Sequence, residues 1–259
     1  MNRKKFIVIL AFAAALAFLT GCGEQDVVQL SELQQIDGVY VVPKTQKPYS
    51  GKYVTAYENN AIKEAGSLKN GKRHGEIKSY DKSGNLILVG HYKDGDIYDE
   101  NEKPYKTVKI GTQTWMAENL NYDVEGSKCY ENNPDNCTKY GGLYNWETAL
   151  NVCPPGWHLP SKNEWDALDN AASGKKLKAK SGWNENGNGT DEFGFSALPG
   201  GGGISEGYFR NVGNLGGWWS ASEFDNMSAY FRGISYNYEN AHWFNGSKSN
   251  LQSVRCLQD

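Results

Sequence analysis

"CPPGWHLPSKNEW", residues 153 to 165, sets three prolines, a glycine and a helix start in quick succession. Pro154 and Pro155 lack the N–H that a ladder needs, and Gly156 permits a reversal, so the first half reads as a rigid turn. In the second half Ser161 is an N-cap and Glu164, three residues on, completes a capping box. That spacing predicts a helix over 160–173 with Trp165 and Leu168 on one face. Just upstream, "YGGLYNWETALNVC" (140 to 153) places Leu143, Trp146, Ala149, Leu150 and Cys153 near a 3.6 period, which predicts a second amphipathic helix. Beyond residue 180 the chain breaks into short strand-like runs and glycine-rich loops, among them "FGFSALPGGGG", "GYFRNVGNLGGWWSASE" and "AYFRGISYNYENAHWFN".

Toward the N-terminus the chain repeats itself. "GKYVTAYENNAIKEAGSLKNG" (51 to 71) aligns with "GEIKSYDKSGNLILVGHYKDG" (75 to 95) at an offset of 24, matching Gly51 to Gly75, Ile62 to Leu86, Gly66 to Gly90 and Gly71 to Gly95. Each copy holds two alternating runs parted by Asn59-Asn60 or Ser83-Gly84, residues that accept positive φ in tight hairpins. One hairpin cannot cover its own apolar face, so the copies are expected to stack into a sheet that leans on the C-terminal part of the chain. The units resemble the MORN-type repeat family, especially a bacterial variant with turns such as "NGKRHGE" (70 to 76).

At the start of the chain, Arg3, Lys4 and Lys5 precede an uncharged run of 14 apolar residues, Phe6 to Leu19. A bilayer span takes about 20, so residues 1–21 read as a signal peptide. Its end, Leu19-Thr20-Gly21-Cys22, resembles the bacterial lipobox. That resemblance implies diacylglycerol on the Cys22 sulfur and an acyl chain such as palmitate on the new amino terminus, hence a membrane anchor. Gly23, in place of the Asp that marks inner-membrane retention in enterobacteria, points to the outer membrane. The expected organisation is a leader over 1–21, a tether over 22–37, repeats over 38–98, a charged linker and a second domain over 104–258.

The chain is rich in residues that suit strands and turns, with 16 Tyr, 8 Trp and 30 Gly against 3 Met. A mean hydropathy of −0.66 excludes a polytopic membrane protein. Loss of residues 1–21 leaves 24 basic against 30 acidic side chains, a net charge of −6, which argues against a nucleic-acid partner.

In the second domain "TVKIGTQTWMAENLNY", read as a hairpin followed by a short turn of helix, "CPPGWHLPS", "NGTDEFGFSALPGG", "GWWSASE" and the terminal "SVRCLQD" are collinear over about 150 residues. Together they resemble the Fibrobacter succinogenes major paralogous domain. That resemblance brings no catalytic or ligand-binding residues to carry over. The order of elements is also similar to the C-type-lectin-like fold and its formylglycine-generating relatives. The fold class expected is α+β: a small antiparallel β-hairpin repeat strip followed by a disulfide-stapled lectin-like domain.

Five cysteines leave one over if the rest pair. With Cys22 lipidated, Cys129, Cys137, Cys153 and Cys256 are read as disulfides of an exported protein. Three connectivities are open; on the lectin-like fold the preferred one closes the short loop Cys129 to Cys137 and staples Cys153 to Cys256. No CxxC spacing supports a four-thiolate metal site.

His74 and His91 are expected exposed in the repeats, and His158, beside Trp157, packed as a structural histidine. Neither they nor His242 stand in a nucleophile motif, and formylglycine chemistry needs a cysteine pair that the disulfides use up. No enzyme and no cofactor are therefore expected. "NENGNGTDE" (184 to 192) could seat calcium through Asn188, Asp191 and Glu192, but an Asx-turn network is the preferred reading. Trp218, Trp219, Tyr236, Tyr238 and Trp243, interleaved with amides and acids, are the candidate ligand residues, since sugar-binding faces stack rings on C–H patches. The expectation is a lipid-anchored envelope protein with a non-catalytic recognition domain for glycan, polysaccharide or a surface protein. The alternatives are a structural or assembly component without a small ligand and, third, an enzyme of the formylglycine-generating type.

Overall fold

A computed structural model describes residues 27–99, 103–204 and 207–259; the leader and Cys22 lie outside them. It is mostly β-sheet, about 15% helical, with two disulfides, and the α+β expectation holds in that coarse form. The first strands are β1 (Val28–Gln29), β2 (Gln34–Ile36), β3 (Val39–Val41), β4 (Gly51–Ala56), β5 (Ile62–Lys69), β6 (Lys72–Arg73), β7 (Gly75–Tyr80), β8 (Leu86–Lys93) and β9 (Asp96–Tyr98).

The offset of 24 reappears in these bounds: β4 and β7 begin at 51 and 75, β5 and β8 at 62 and 86. Each copy carries a register irregularity at the same point, Thr55/Ala56 and Ser79/Tyr80. Asn60 and Gly84 turn the hairpins at positive φ, and Asn70-Gly71 and Asp94-Gly95 turn the chain onward in the same way. The sheet runs β1-β4-β5-β7-β8-β9, with β6 alongside β5. The tether expected over 22–37 is structured from Val28 onward. There β1 pairs in parallel with β4, and β2 forms a hairpin with β3. The free ladder edge of β4 recruits a segment whose own pattern is weak.

The second region contributes β10 (Thr107–Ile110), β11 (Gln113–Met116), β12 (Ser127–Lys128), β13 (Leu143–Tyr144), β14 (Trp157–His158) and β15 (Gly200–Gly203). It continues with β16 (Phe209–Val212), β17 (Leu215–Glu223), β18 (Ser228–Ser235), β19 (His242–Ser247), β20 (Gln252–Ser253) and β21 (Leu257–Gln258). One sheet orders β10-β11-β21-β14; the larger one orders β12-β13-β20-β17-β15-β16 and extends from β17 through β18 to β19.

The helix at Lys162–Ala171 begins as expected: the Ser161 hydroxyl accepts from Glu164 N–H, and the Glu164 carboxylate accepts from Ser161 N–H. The helix expected over 140–153 shrinks to one turn, Trp146–Ala149. Leu143 and Tyr144 instead pair with Ser253 and Gln252, so distant strands claim residues that carry a helical period. No helix follows Trp115; Ala117 and Leu120 donate instead to the distant carbonyls of Lys106 and Val254. The Cys129–Cys137 loop runs into the helix Pro134–Tyr140, with Asn133 as cap and proline at its start.

Both disulfides join the preferred partners, Cys129 to Cys137 and Cys153 to Cys256. The "CPPGW" turn is also the seat of the repeat sheet. The Tyr92 hydroxyl donates to the Pro155 carbonyl. A side chain at Gly90 would meet Pro155 Cδ at 3.0 Å, so glycine there lets β8 lie against the turn. Below it, Arg73 is paired with Glu64 at 3.2 Å, and Glu64 also accepts from the Tyr53 hydroxyl. One buried cluster consequently runs from Tyr53, Ile77 and Tyr92 of the repeats to Cys153, Trp157 and Cys256. A second cluster packs Trp115, Trp165, Phe195 and Trp218 between the large sheet and the Lys162–Ala171 helix.

Candidate functional site

Four of the five collinear motifs meet at one guanidinium. Arg255, fully buried, donates through Nε and Nη2 to Asn119 Oδ1 at 3.0 and 2.6 Å, and through Nη1 to the carbonyls of Phe195 and Met116. Asn119 Oδ1 also accepts from Trp218 Nε1 at 2.8 Å. "TWMAENLNY", "DEFGFSALPGG", "GWWSASE" and "SVRC" thereby share one knot. Its neutral partners leave burial to pull the Arg255 pKa down to about 9. Such an arrangement organises a core; it presents nothing to a substrate.

Trp218 and Trp219 were expected on a ligand face, and both are fully buried. Successive residues of a strand point to opposite faces, and both faces of β17 are covered here. Trp218 lies 6.3 Å from the Trp165 ring, while Trp219 lies edge-on to Phe231 and donates to the Tyr144 carbonyl. Neither offers a ring to solvent.

Trp243 does reach the surface. It stands on β19 beside Arg232 of β18, with which it is in register. Its Nε1 donates to Asp166 Oδ1 at 2.7 Å, and Lys162 Nζ and the Arg232 guanidinium each lie 4.9 Å from its ring centre. Tyr230 meets Trp243 edge-on at 5.8 Å and Phe224 meets Tyr230 at 5.3 Å. Phe224 is half exposed. Lys162 and Asp166, one turn apart on the capped helix, form an ion pair at 3.1 Å.

Burial pushes Asp166 upward, but Trp243 and Lys162 outweigh it and hold the carboxyl below its usual range. The deeper Asp169 is raised to about 6 by burial, against the pull of its partner Arg232. An aromatic row beside one fixed carboxylate and one ammonium can stack on C–H faces and bind hydroxyls. The sequence reading missed Lys162, Asp166, Tyr230 and Phe224; the i,i+4 pair and the alternation in "AYFRGIS" were the available signals.

Tyr236 is half-buried against the second cluster, and Tyr238 is exposed with its edge to His242. Lys178 Nζ, nearly buried, fixes their loop by donating to the carbonyls of Ser235, Tyr236 and Tyr238. Burial lowers its pKa.

Asn188, Asp191 and Glu192 do not converge. Asn188 accepts from Trp183 N–H, Asp191 accepts from the N–H and hydroxyl of Ser196, and Glu192 pairs with Lys176. Among the described residues no group of three His, Cys, Asp or Glu is placed to hold a metal ion.

His158 is not packed as expected. It bridges two carboxylates at the surface, Nδ1 to Asp259 at 2.7 Å and Nε2 to Glu164 at 2.9 Å. Asp259, and then Glu164, raise its pKa against the effect of burial. His74 lies near Asp94 in its turn and His91 is exposed on β8.

A sequence model described as the Fibrobacter succinogenes major domain matches residues 108–258. No curated protein and no solved structure matches the chain.

Proposed function

The chain belongs to the Fibrobacter succinogenes major domain family, and from that premise we propose that it is a lipid-anchored cell-envelope protein whose family domain recognises glycan or polysaccharide without catalysis. The observation that carries this reading is the surface row of Phe224, Tyr230 and Trp243, flanked by Lys162 and Asp166 and mounted on a sheet and a capped helix. Rigid aromatic faces beside a few oriented polar groups suit a saccharide ring. Two disulfides favour an oxidising compartment and so support export. The same disulfides occupy the cysteines that formylglycine-type chemistry would need, which supports a non-catalytic role. In this reading the hairpins are MORN-type spacers, the domain is C-type-lectin-like, and Cys22 carries the lipid at the outer membrane.

The test is a glycan array and a polysaccharide pull-down with the natural chain and with Trp243→Ala. Retention on a defined glycan class that Trp243→Ala abolishes, with unchanged near-ultraviolet circular dichroism, is expected. No retention on any glycan, with envelope assembly lost on deletion, would favour a structural role instead. Palmitate labelling in cells, absent in Cys22→Ser, tests the anchor separately.

A further inference from the structure

The repeat symmetry exposes an empty strand position. In the first repeat β5 is flanked on both sides. It pairs with β4 on one side; on the other it pairs with β6 at Leu68 and Lys69 and with β7 at Glu64 and Ala65. In the second repeat β8 pairs with β7 on one side, and on the other with β9 at His91, Tyr92 and Lys93. There β9 plays the part of β6. The residues that match Glu64 and Ala65 are Leu88 and Val89, and among the described residues no strand pairs with them on that side. The chain turns back before it could: Asp99 N–H donates to the Lys103 carbonyl and Tyr98 bridges to Pro104. The strand of a third repeat is what this edge lacks.

A cavity of about 590 Å³ follows that edge, bounded across from β8 by residues 124–126 and 145–152. Ile87 and Leu88 both line it, although successive side chains of a strand point to opposite faces, so the cavity runs along the backbone edge. Natural sheets guard such edges with charge. Here such charge is missing at Leu86 and Ile87, which are 54% and 38% exposed; the position of Ile87 carries Lys63 in the first repeat. Among the lining side chains the charged ones are Glu125 and Glu147, with no lysine or arginine.

We propose that the β8 edge at Leu86–Gly90 receives an extended segment of a partner protein, antiparallel as β7 is on β5, in which apolar side chains alternate with Lys or Arg. The ladder groups of β8 supply backbone pairing, Leu88, packed on the core cluster, supplies apolar contact on its face of the strand, and Glu125 and Glu147 select the basic residues. A second copy of this chain fits less well, since edge-to-edge pairing would bring the same carboxylates together. This docking edge is independent of the glycan reading and stands or falls without it.

The test titrates the natural chain with a synthetic Lys-Val alternating octapeptide, blocked at both ends, by calorimetry and amide hydrogen exchange. Saturable binding with slowed exchange at Leu86–Gly90 is expected. Affinity should fall at least about ten-fold for a Glu-Val peptide, for a Lys-Val peptide N-methylated at alternate residues, and for the unmodified Lys-Val peptide on the Glu125→Gln, Glu147→Gln variant. Near-ultraviolet circular dichroism of that variant checks its fold. Absence of binding, equal binding of the N-methylated peptide or unchanged exchange at Leu86–Gly90 would overturn the proposal. So would sedimentation showing that self-association protects the same amides without peptide.

Discussion

In the repeat sheet each long strand pairs with its neighbour in sequence, β4 with β5, β5 with β7 and β7 with β8, and no disulfide crosses it. The family domain is tied by remote contacts. Cys153 bonds Cys256 across 103 residues, and Arg255 reaches Asn119 across 136. Local pairing leaves little loop-closure entropy to overcome; remote pairing must overcome a great deal, and covalent and buried polar ties offset it. Yet Tyr53, Ile77 and Tyr92 share a buried cluster with Cys153, Trp157 and Cys256. The locally built region therefore borrows its stability from the remotely built one.

Removal of the long staple should have the largest effect. Cys153→Ala with Cys256→Ala opens the 103-residue loop and should cost about 4–5 kcal/mol on the loop-closure account. Because the staple lies under the repeat sheet, differential scanning calorimetry should show one transition moved down as a unit. Two separated transitions would break the comparison, since the sheet would then stand alone. Arg255→Met comes next. It strands the Phe195 carbonyl as a buried acceptor and leaves Asn119 Oδ1 with Trp218 Nε1 alone, for an expected loss of about 3 kcal/mol in urea titration.

The glycine pair sharpens the borrowing argument. Gly90→Val meets Tyr92 and the rigid Pro155 and should cost about 2 kcal/mol, whereas Gly66→Val meets only Ile77 within the repeat sheet, away from the proline turn, and should cost less. Equal losses in chemical denaturation would mean that docking on the proline turn contributes nothing special.

The smallest effect is pH-dependent. Both ring nitrogens of His158 face carboxylates, so the charged ring is favoured and its folded pKa lies above its ordinary value. The stabilisation is complete below the unfolded value, about 6.5, and is lost as pH rises through the raised folded value. With the ring partly exposed, less than about 1 kcal/mol is expected. Thermal midpoints across that window should lose this slope in His158→Gln, while the separate titration of Asp169 near 6 persists.

Legibility followed the same division. The offset of 24, the turns at Asn60 and Gly84 and the capping box at Ser161 were readable because each depends on residues a few positions apart. The helix expected over 140–153 failed because Leu143 and Tyr144 answer to Gln252 and Ser253 rather than to their own period. Trp218 and Trp219 were placed wrongly for a related reason. Composition marks tryptophan as a stacking residue, but whether it meets sugar or core depends on what covers the strand.

Sequence by itself determined the repeat register, the hairpin turns, the helix start and the family, because these rest on neighbouring dihedrals and on short collinear motifs. Tertiary structure alone decided that family motifs converge on Arg255, that Trp243 rather than Trp218 faces outward, and that β8 keeps an edge free among the described residues. Burial and strand pairing are set by partners many tens of residues away, and no local pattern encodes them.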